Sequence, residues 1–497
     1  MPRPSNPLGS ATSGPVTVSV EDNIPVPSAF WSMAFVCWLA TIFILYSRFF
    51  DLLLRGFYIP RAVLSLMGIF FLVSGRPFYF VRSTVGKIML ALLFWLSFTM
   101  IFSVWKGGSL PYYEQFLQSL FFFAIAAGLP AAISHVRQSC YTLAFSGVLA
   151  ALMSFKWSLD VSGRLALDGG SYADPNYFAM GLAAIVPFLW EMATTAESKL
   201  IKVFAWLSLG PVFLVLERAG SRGAMLAFAA MLLVWWLISP VKTKIVLMIV
   251  SAIGFGAAVA TVPPYVRERY LTIFSSDSAP QQPSNVAESE DVDRLKADAG
   301  SAAERKRLLQ ESIDLTIEHP IVGVGPGCFQ VAVFDEAKAK GIKHNVWMQT
   351  HNSYTELSSE TGLPGLILLL CLIGASFKNL SVVLKGARPE GEKPDRAAYT
   401  AAKSLVLSLV VICVCIFFLA VVYDFTIFVW AGLTVALRRT YEEKLQSAAN
   451  SELTAEVEAG PKAPLAFDSV YVKVQDRLPP RHTPTVSGRP VRFNRFR

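Results

Sequence analysis

The residue types best suited to chemistry gather in one polar stretch, His351-Asn352-Ser-Tyr-Thr-Glu-Leu-Ser-Ser-Glu-Thr-Gly362-Leu-Pro-Gly365, which runs straight into an apolar segment. An imidazole at a membrane boundary can be neutral at working pH and accept a proton, as a general base must. Such a base activates a hydroxyl, for example that of a sugar attacking an anomeric carbon. Taken alone, one His is better explained as an interfacial side chain that hydrogen-bonds its surroundings.

Three arginines shift that balance. Arg222, in Gly220-Ser-Arg-Gly223, stands at the entrance to an apolar span. A charge deep in lipid costs about 2.5 to 3.5 kcal/mol, so this side chain is expected to face a cavity or an anion. Arg305 and Arg307 begin a helical pattern in the long loop before His351. Guanidinium groups stay charged and present forked donors that match phosphate oxygens. A lipid-linked sugar diphosphate needs such a clamp, because negative charge builds on it as the glycosidic bond breaks. The competing explanations are snorkelling anchors for Arg218 and Arg222 and an exposed helix face for Arg305 and Arg307. Spacing alone excludes neither.

Other constellations point less clearly to chemistry. Asp174 and Asn176 fit a turn before a span, and Glu217 is placed to pair with Arg218. Asp424 lies between the last two spans with no partner legible in the sequence. Asp291-Val-Asp293 imitates an acidic metal pair but sits in an acidic, low-complexity linker, and His344-Asn345 lacks a third nearby ligand. No metal site is expected. Five of the six cysteines fall in or beside apolar spans and only Cys328 lies in the loop, so neither a disulfide framework nor a zinc site is predicted.

The elements that must position these residues are membrane helices. With 54% hydrophobic and 16% charged residues over 497 positions, and a mean hydropathy of +0.48, the chain is too apolar for an ordinary soluble protein. Stretches of roughly 17 to 25 apolar residues cross a bilayer, and about twelve are predicted: Phe30 to Tyr46, Phe57 to Val73, Val85 to Trp105, Phe116 to Ile133, Tyr141 to Leu159, Tyr177 to Glu191, Leu200 to Leu216, Gly223 to Ile238, Ile245 to Val262, Leu363 to Leu384, Ala401 to Val422 and Phe425 to Leu437. The fold class is thus an all-α polytopic membrane protein with one large loop between predicted spans 9 and 10.

The net charge of +8 is spread among connections instead of forming one patch, which argues against nucleic acid. With the N-terminus in the cytoplasm, Arg76, Arg82, Lys87, Lys199, Lys202, Lys242, Lys244, the Lys378 to Lys403 cluster and Arg438-Arg439 all fall inside, as the positive-inside rule requires. Arg48, Arg55 and Arg61 fall on the other side and demand an interfacial turn. The expected organisation is an N-terminal cytoplasmic segment (1–29), a first helix bundle (30–262), a large periplasmic loop (263–350), the last membrane helices (351–440) and a disordered cytoplasmic tail (441–497). The Pro- and Ser-rich start lacks the pattern of a cleaved signal peptide, so the first span is expected to persist. Within the loop, Leu308, Leu309, Ile313, Leu315 and Ile317 recur at helical spacing until His319-Pro320 ends the pattern, and Gly323-Val-Gly-Pro-Gly327 reads as a tight turn.

The pattern His-Asn, nine residues, Gly, two residues, Gly from His351 to Gly365 resembles the signature of the O-antigen ligase and polymerase superfamily. The run Arg305-Lys-Arg-Leu-Leu-Gln-Glu-Ser-Ile through His319 to Phe329 is similar to the stretch that precedes that His in the family. So are Ser221-Arg222-Gly223 and Asp174-Pro-Asn176-Tyr-Phe-Ala179, each at the start of a span. The resemblance implies that His351 is the base for the acceptor hydroxyl and that Arg222 and Arg305 bind a polyprenyl diphosphate, with Arg307 competing for the Arg305 position. Asn352, Gly362, Gly365, Asp174, Asn176 and Asp424 become supporting residues. It also implies inversion without a metal or cofactor. Leu366 and Ile367 stand where the enterobacterial pattern has hydroxyl residues.

These expectations describe a multi-pass protein of the bacterial inner membrane whose site faces the periplasm. It would move a glycan from polyprenyl diphosphate to lipid A-core or another glycan acceptor, with membrane lipids as its other partners. A polysaccharide polymerase and a protein O-oligosaccharyltransferase share the donor chemistry. A secondary transporter is the rival of another class, though no internal repeat supports it.

Overall fold

The computed structural model describes residues 29–53, 59–76, 78–161, 164–261, 303–341, 348–389, 391 and 394–458. Asp291, Asp293, His344 and Asn345 lie outside them. The first part of the chain forms α1 (Ala29–Ser47), α2 (Phe49–Leu53), α3 (Ile59–Val73), α4 (Thr84–Ile101), α5 (Lys106–Gly128), α6 (Ile133–Ser154), α7 (Pro175–Thr195), α8 (Lys199–Arg218), α9 (Arg222–Ile238) and α10 (Val241–Thr261). In the loop, α11 covers residues 303–318 and α12 covers Phe329–Ala339. Then come α13 (Ser353–Gly386), α14 (Arg396–Cys415) and α15 (Phe425–Glu458).

Among the described residues, each of the twelve apolar stretches overlaps a helix. Among the described residues five helices, α4, α7, α8, α13 and α14, are long and apolar enough to cross a membrane. Shorter apolar helices cover Trp31–Ser47, Ile59–Val73 and Arg222–Ile238. Large apolar side chains stay exposed on outer helices, among them Leu72, Phe94, Leu200, Leu207 and Met248. That is costly in water and natural against lipid. At the centre, α7 is 78% buried over its apolar window, against 28% for its neighbour α8.

Several boundaries differ from the sequence expectation, three of them with structural consequences. The fifth stretch does not remain helical to Leu159: β1 (Ser158–Val161) pairs antiparallel with β2 (Arg164–Leu167), so the otherwise helical chain contains a small hairpin. The eleventh does not reach Val422, because α14 ends at Cys415. Residues 416–424 instead satisfy the start of α13, where Ser353 N donates to Ile416 O at 2.8 Å and Ser353 Oγ to Leu419 O at 2.7 Å. Finally, α15 continues through Gln446 to Glu458, since Glu-Lys-Leu-Gln-Ser-Ala-Ala favours helix despite its polarity. The chain falls into two units, 1–444 and 445–497; the described residues of the second, 445–458, are helical.

Helix starts are fixed by short polar side chains. Ser83, Asp174, Ser221, Asn352 and Asp395 each accept a hydrogen bond from a backbone N–H of the first turn, a contact typically worth about 1 kcal/mol. In α7, Pro175 follows its cap directly, where its missing N–H costs nothing. Arg48 sits in the turn between α1 and α2, pairing with Asp51 at 3.1 Å and reaching Ser171 at 3.4 Å. Arg48 thus occupies a turn, whereas Arg61 lies within α3 and Arg55 falls outside the described residues.

Candidate active site

Successive helices reverse direction, so the starts of α7, α9 and α13 meet at the same end of the bundle as the loop helix α11. Residues distant in sequence gather there. The charges that act on His351 are those of Arg305, Asp174 and Glu304, and those that act on Arg305 are Arg222 and Asp174. His351, Arg305 and Arg222 are half-buried while Asp174 is exposed, so the group is open to its surroundings and not sealed in the core.

Backbone conformation singles out His351. It has φ 53°, in the left-handed region that a non-glycine side chain enters at a cost of about 1 to 3 kcal/mol when the surroundings impose it. They do so on the C-terminal side, where Asn352 Oδ1 accepts from Tyr354 N at 2.9 Å and Thr355 N at 3.2 Å. Asn352 is therefore a helix cap. Burial first, and the Arg305 charge second, hold the His351 pKa below its ordinary value, with Asp174 and Glu304 opposing. The imidazole is accordingly neutral near pH 7.

Arg305 and Arg307 are separated by their surroundings. Arg307 Nε bonds Glu304 at 3.1 Å and its Nη1 bonds Glu311 at 3.2 Å, and the Glu304 contact leads in raising its pKa. Arg305 forms no ion pair among the described residues, and burial, then repulsion from Arg222, lowers its pKa, while Asp174 opposes the shift. Two guanidinium groups that repel each other at a half-buried site make a place for an anion. Arg222 also begins α9, where the helix dipole adds positive potential.

The supporting residues hold their surroundings by hydrogen bonds. Asp174 caps α7 through Asn176 N at 2.7 Å. Asn176 Oδ1 accepts from Arg164 Nη2 at 2.7 Å, and Arg164 Nε donates to Ala219 O at 2.9 Å. One buried arginine thereby ties the hairpin to the start of α7 and to the turn that leads into Arg222. Asp424 gains the partner the sequence withheld: Tyr177 Oη donates to it at 2.6 Å, and Thr426 N at 2.9 Å.

The glycine turn is strapped to α13. Val324 N donates to Ser359 O at 3.0 Å, Gly325 N to Glu360 O at 2.8 Å and Leu363 N to Pro320 O at 2.8 Å. Gly323 (φ 66°) has its α-carbon against the Glu360 backbone, and Gly362 (φ 74°) lies against the Ile321 carbonyl, so a Cβ at either place would collide with main chain. Gly362 kinks α13 there, and Gly365 lies close under the Thr361 side chain. Glu360, which the sequence reading passed over, accepts from Gly327 N at 2.7 Å, Phe329 N at 3.3 Å and Tyr423 Oη at 2.6 Å. The one legible hint was its spacing from Glu356, which places two acids on one helical face beside an apolar span. Arg164 left no comparable signal. Cys328 joins the loop core with Leu308, Leu315, Val324, Phe329 and Val333, and all six cysteines are free thiols.

A helical membrane protein with a cationic, histidine-bearing site at one end of its bundle is the class these features define. Residues 203–370 match the family model for O-antigen ligase. The match supports the O-antigen ligase-like superfamily and indicates glycosyltransferase activity of ligase or polymerase type, in keeping with the apolar helices of a bacterial membrane protein. The match takes in Arg222, Arg305, Arg307, His351, Asn352, Gly362 and Gly365, and leaves Asp174, Asn176 and Asp424 outside. No curated protein matches the chain.

Proposed function

We propose that the protein transfers a glycan from polyprenyl diphosphate to a hydroxyl of lipid A-core, with the reaction at the periplasmic face of the inner membrane. The observation that carries this reading is that the charges of Arg305 and Asp174 act on His351 and that of Arg222 on Arg305, four residues supplied by four separate segments. Neutral His351 takes the proton of the acceptor hydroxyl as its oxygen attacks the anomeric carbon. The carbon–oxygen bond to the diphosphate breaks on the opposite side, inverting that centre. Arg305 and Arg222 meet the charge that develops on the departing diphosphate, and the imidazolium then returns its proton to water. The donor's polyprenyl tail lies along the apolar outer helices.

The test is transfer by the purified full chain, given lipid-linked glycan and either lipid A-core, a second glycan or an acceptor protein, with and without chelator. Product on lipid A-core that survives chelation supports the reading. Polymerised glycan or glycosylated protein would move the chain to the polymerase or protein-glycosylating branch, and full transfer by folded His351→Ala protein would overturn the catalytic assignment.

A further inference from the structure

At the other end of the bundle lies a cavity of about 970 Å³, bounded by the last turns of α7, α9 and α13, the start of α14, the α9–α10 corner and α8. From its start beside Asp174, α7 runs 21 residues, which at about 1.5 Å per residue is roughly 30 Å, the thickness of a bilayer core. The cavity therefore opens at the opposite membrane face from His351.

Its walls have two chemistries. Lys242, Lys385, Arg388, Arg396 and Lys403 line it, against Glu191 as the lone acid among the lining residues. Glu191 is already matched by Arg137 at 2.9 Å, and Lys403 donates to Ser239 at 2.9 Å. The other four cations form no ion pair among the described residues. Lower in the same cavity, Trp190 packs edge-on against Trp206 and Trp235, with centroids 5.3 and 5.0 Å apart. Cations above and indole rings below suit an amphiphile whose anionic head lies at the interface and whose chains enter the apolar region.

We infer that this cavity binds an anionic phospholipid of the leaflet opposite the His351 face, its phosphate held by Arg388, Arg396, Lys242 and Lys385 and its acyl chains against the tryptophans. A soluble phosphate ester would use the cations and leave the indole wall idle, which is why a membrane lipid is the better fit. The inference stands independently of the transfer reaction.

Native mass spectrometry of the full chain, released from nanodiscs of phosphatidylglycerol or of phosphatidylcholine, tests it. The expected result is retention of phosphatidylglycerol alone, and a drop of about tenfold in Arg388→Gln/Arg396→Gln or Lys242→Gln/Lys385→Gln protein. Lys199→Gln/Lys202→Gln, at the same end but outside the cavity wall, should retain lipid normally. Equal retention of both lipids, undiminished retention by the two cavity variants, equal loss in the Lys199/Lys202 control, or displacement by glycerol phosphate at matched concentration would each overturn the inference.

Discussion

The Glu360 carboxylate receives the backbone N–H of Gly327 at 2.7 Å, so the loop's glycine turn, which precedes His351 in the chain, is fastened to α13, whose start follows it. Glu360→Ala would strand Gly327 N, Phe329 N and the Tyr423 hydroxyl. The expected cost is on the order of 3 kcal/mol, seen as a lower melting midpoint in detergent. Gly323→Ala should fall in the same direction, because its Cβ meets main chain that cannot rotate away. A stability equal to wild type in both variants would refute the strap.

His351 holds a left-handed backbone conformation that Asn adopts readily. His351→Asn should therefore fold with an unchanged melting midpoint while transfer falls about 100- to 10,000-fold, the range for loss of a general base. Retained transfer in the folded variant would remove His351 from the chemistry.

The pH profile follows from the same residue. Because burial and Arg305 depress the His351 pKa, the base stays neutral below the ordinary histidine range, and the acid limb of the transfer rate should lie below pH 6.5. Removing the Arg305 charge relieves the repulsion and raises the pKa, so in Arg305→Gln the residual activity should lose its acid limb at higher pH than wild type. A shift to lower pH would contradict the assigned sign.

Arg305 and Arg307, two positions apart, should behave differently. Arg305→Gln is expected to cost about 100-fold in transfer, as loss of a charge stabiliser does. Arg307→Gln breaks partly exposed pairs with Glu304 and Glu311, so stability should change by about 1 kcal/mol or less and transfer less than about twofold. Steady-state transfer rates of the two purified variants decide between them. Equal losses would mean both arginines serve the donor.

What the sequence determined by itself is local or repeated. Apolar runs put a helix at each predicted stretch, since a backbone in lipid must bond to itself. Proline after His319 ends α11, and the 323–327 glycines form the turn because positive φ excludes other side chains. The His-Asn and Gly spacing also pointed to His351. Tertiary structure alone decided the rest. A one-dimensional pattern cannot tell which of two arginines on one helix faces Asp174 and Arg222, because facing depends on contacts between residues 83 to 131 positions away. It cannot reveal that Arg164 links Asn176 to the Ala219 carbonyl, that Asp424 belongs to Tyr177, or that α14 stops at Cys415 so that residues 416–424 brace α13. Those assignments rest on long-range packing: the loop helix buries Leu308 and Leu315 in the loop core and is joined to α13 by the backbone bonds of the glycine turn and by the Thr316–Ser358 hydroxyl pair at 2.8 Å.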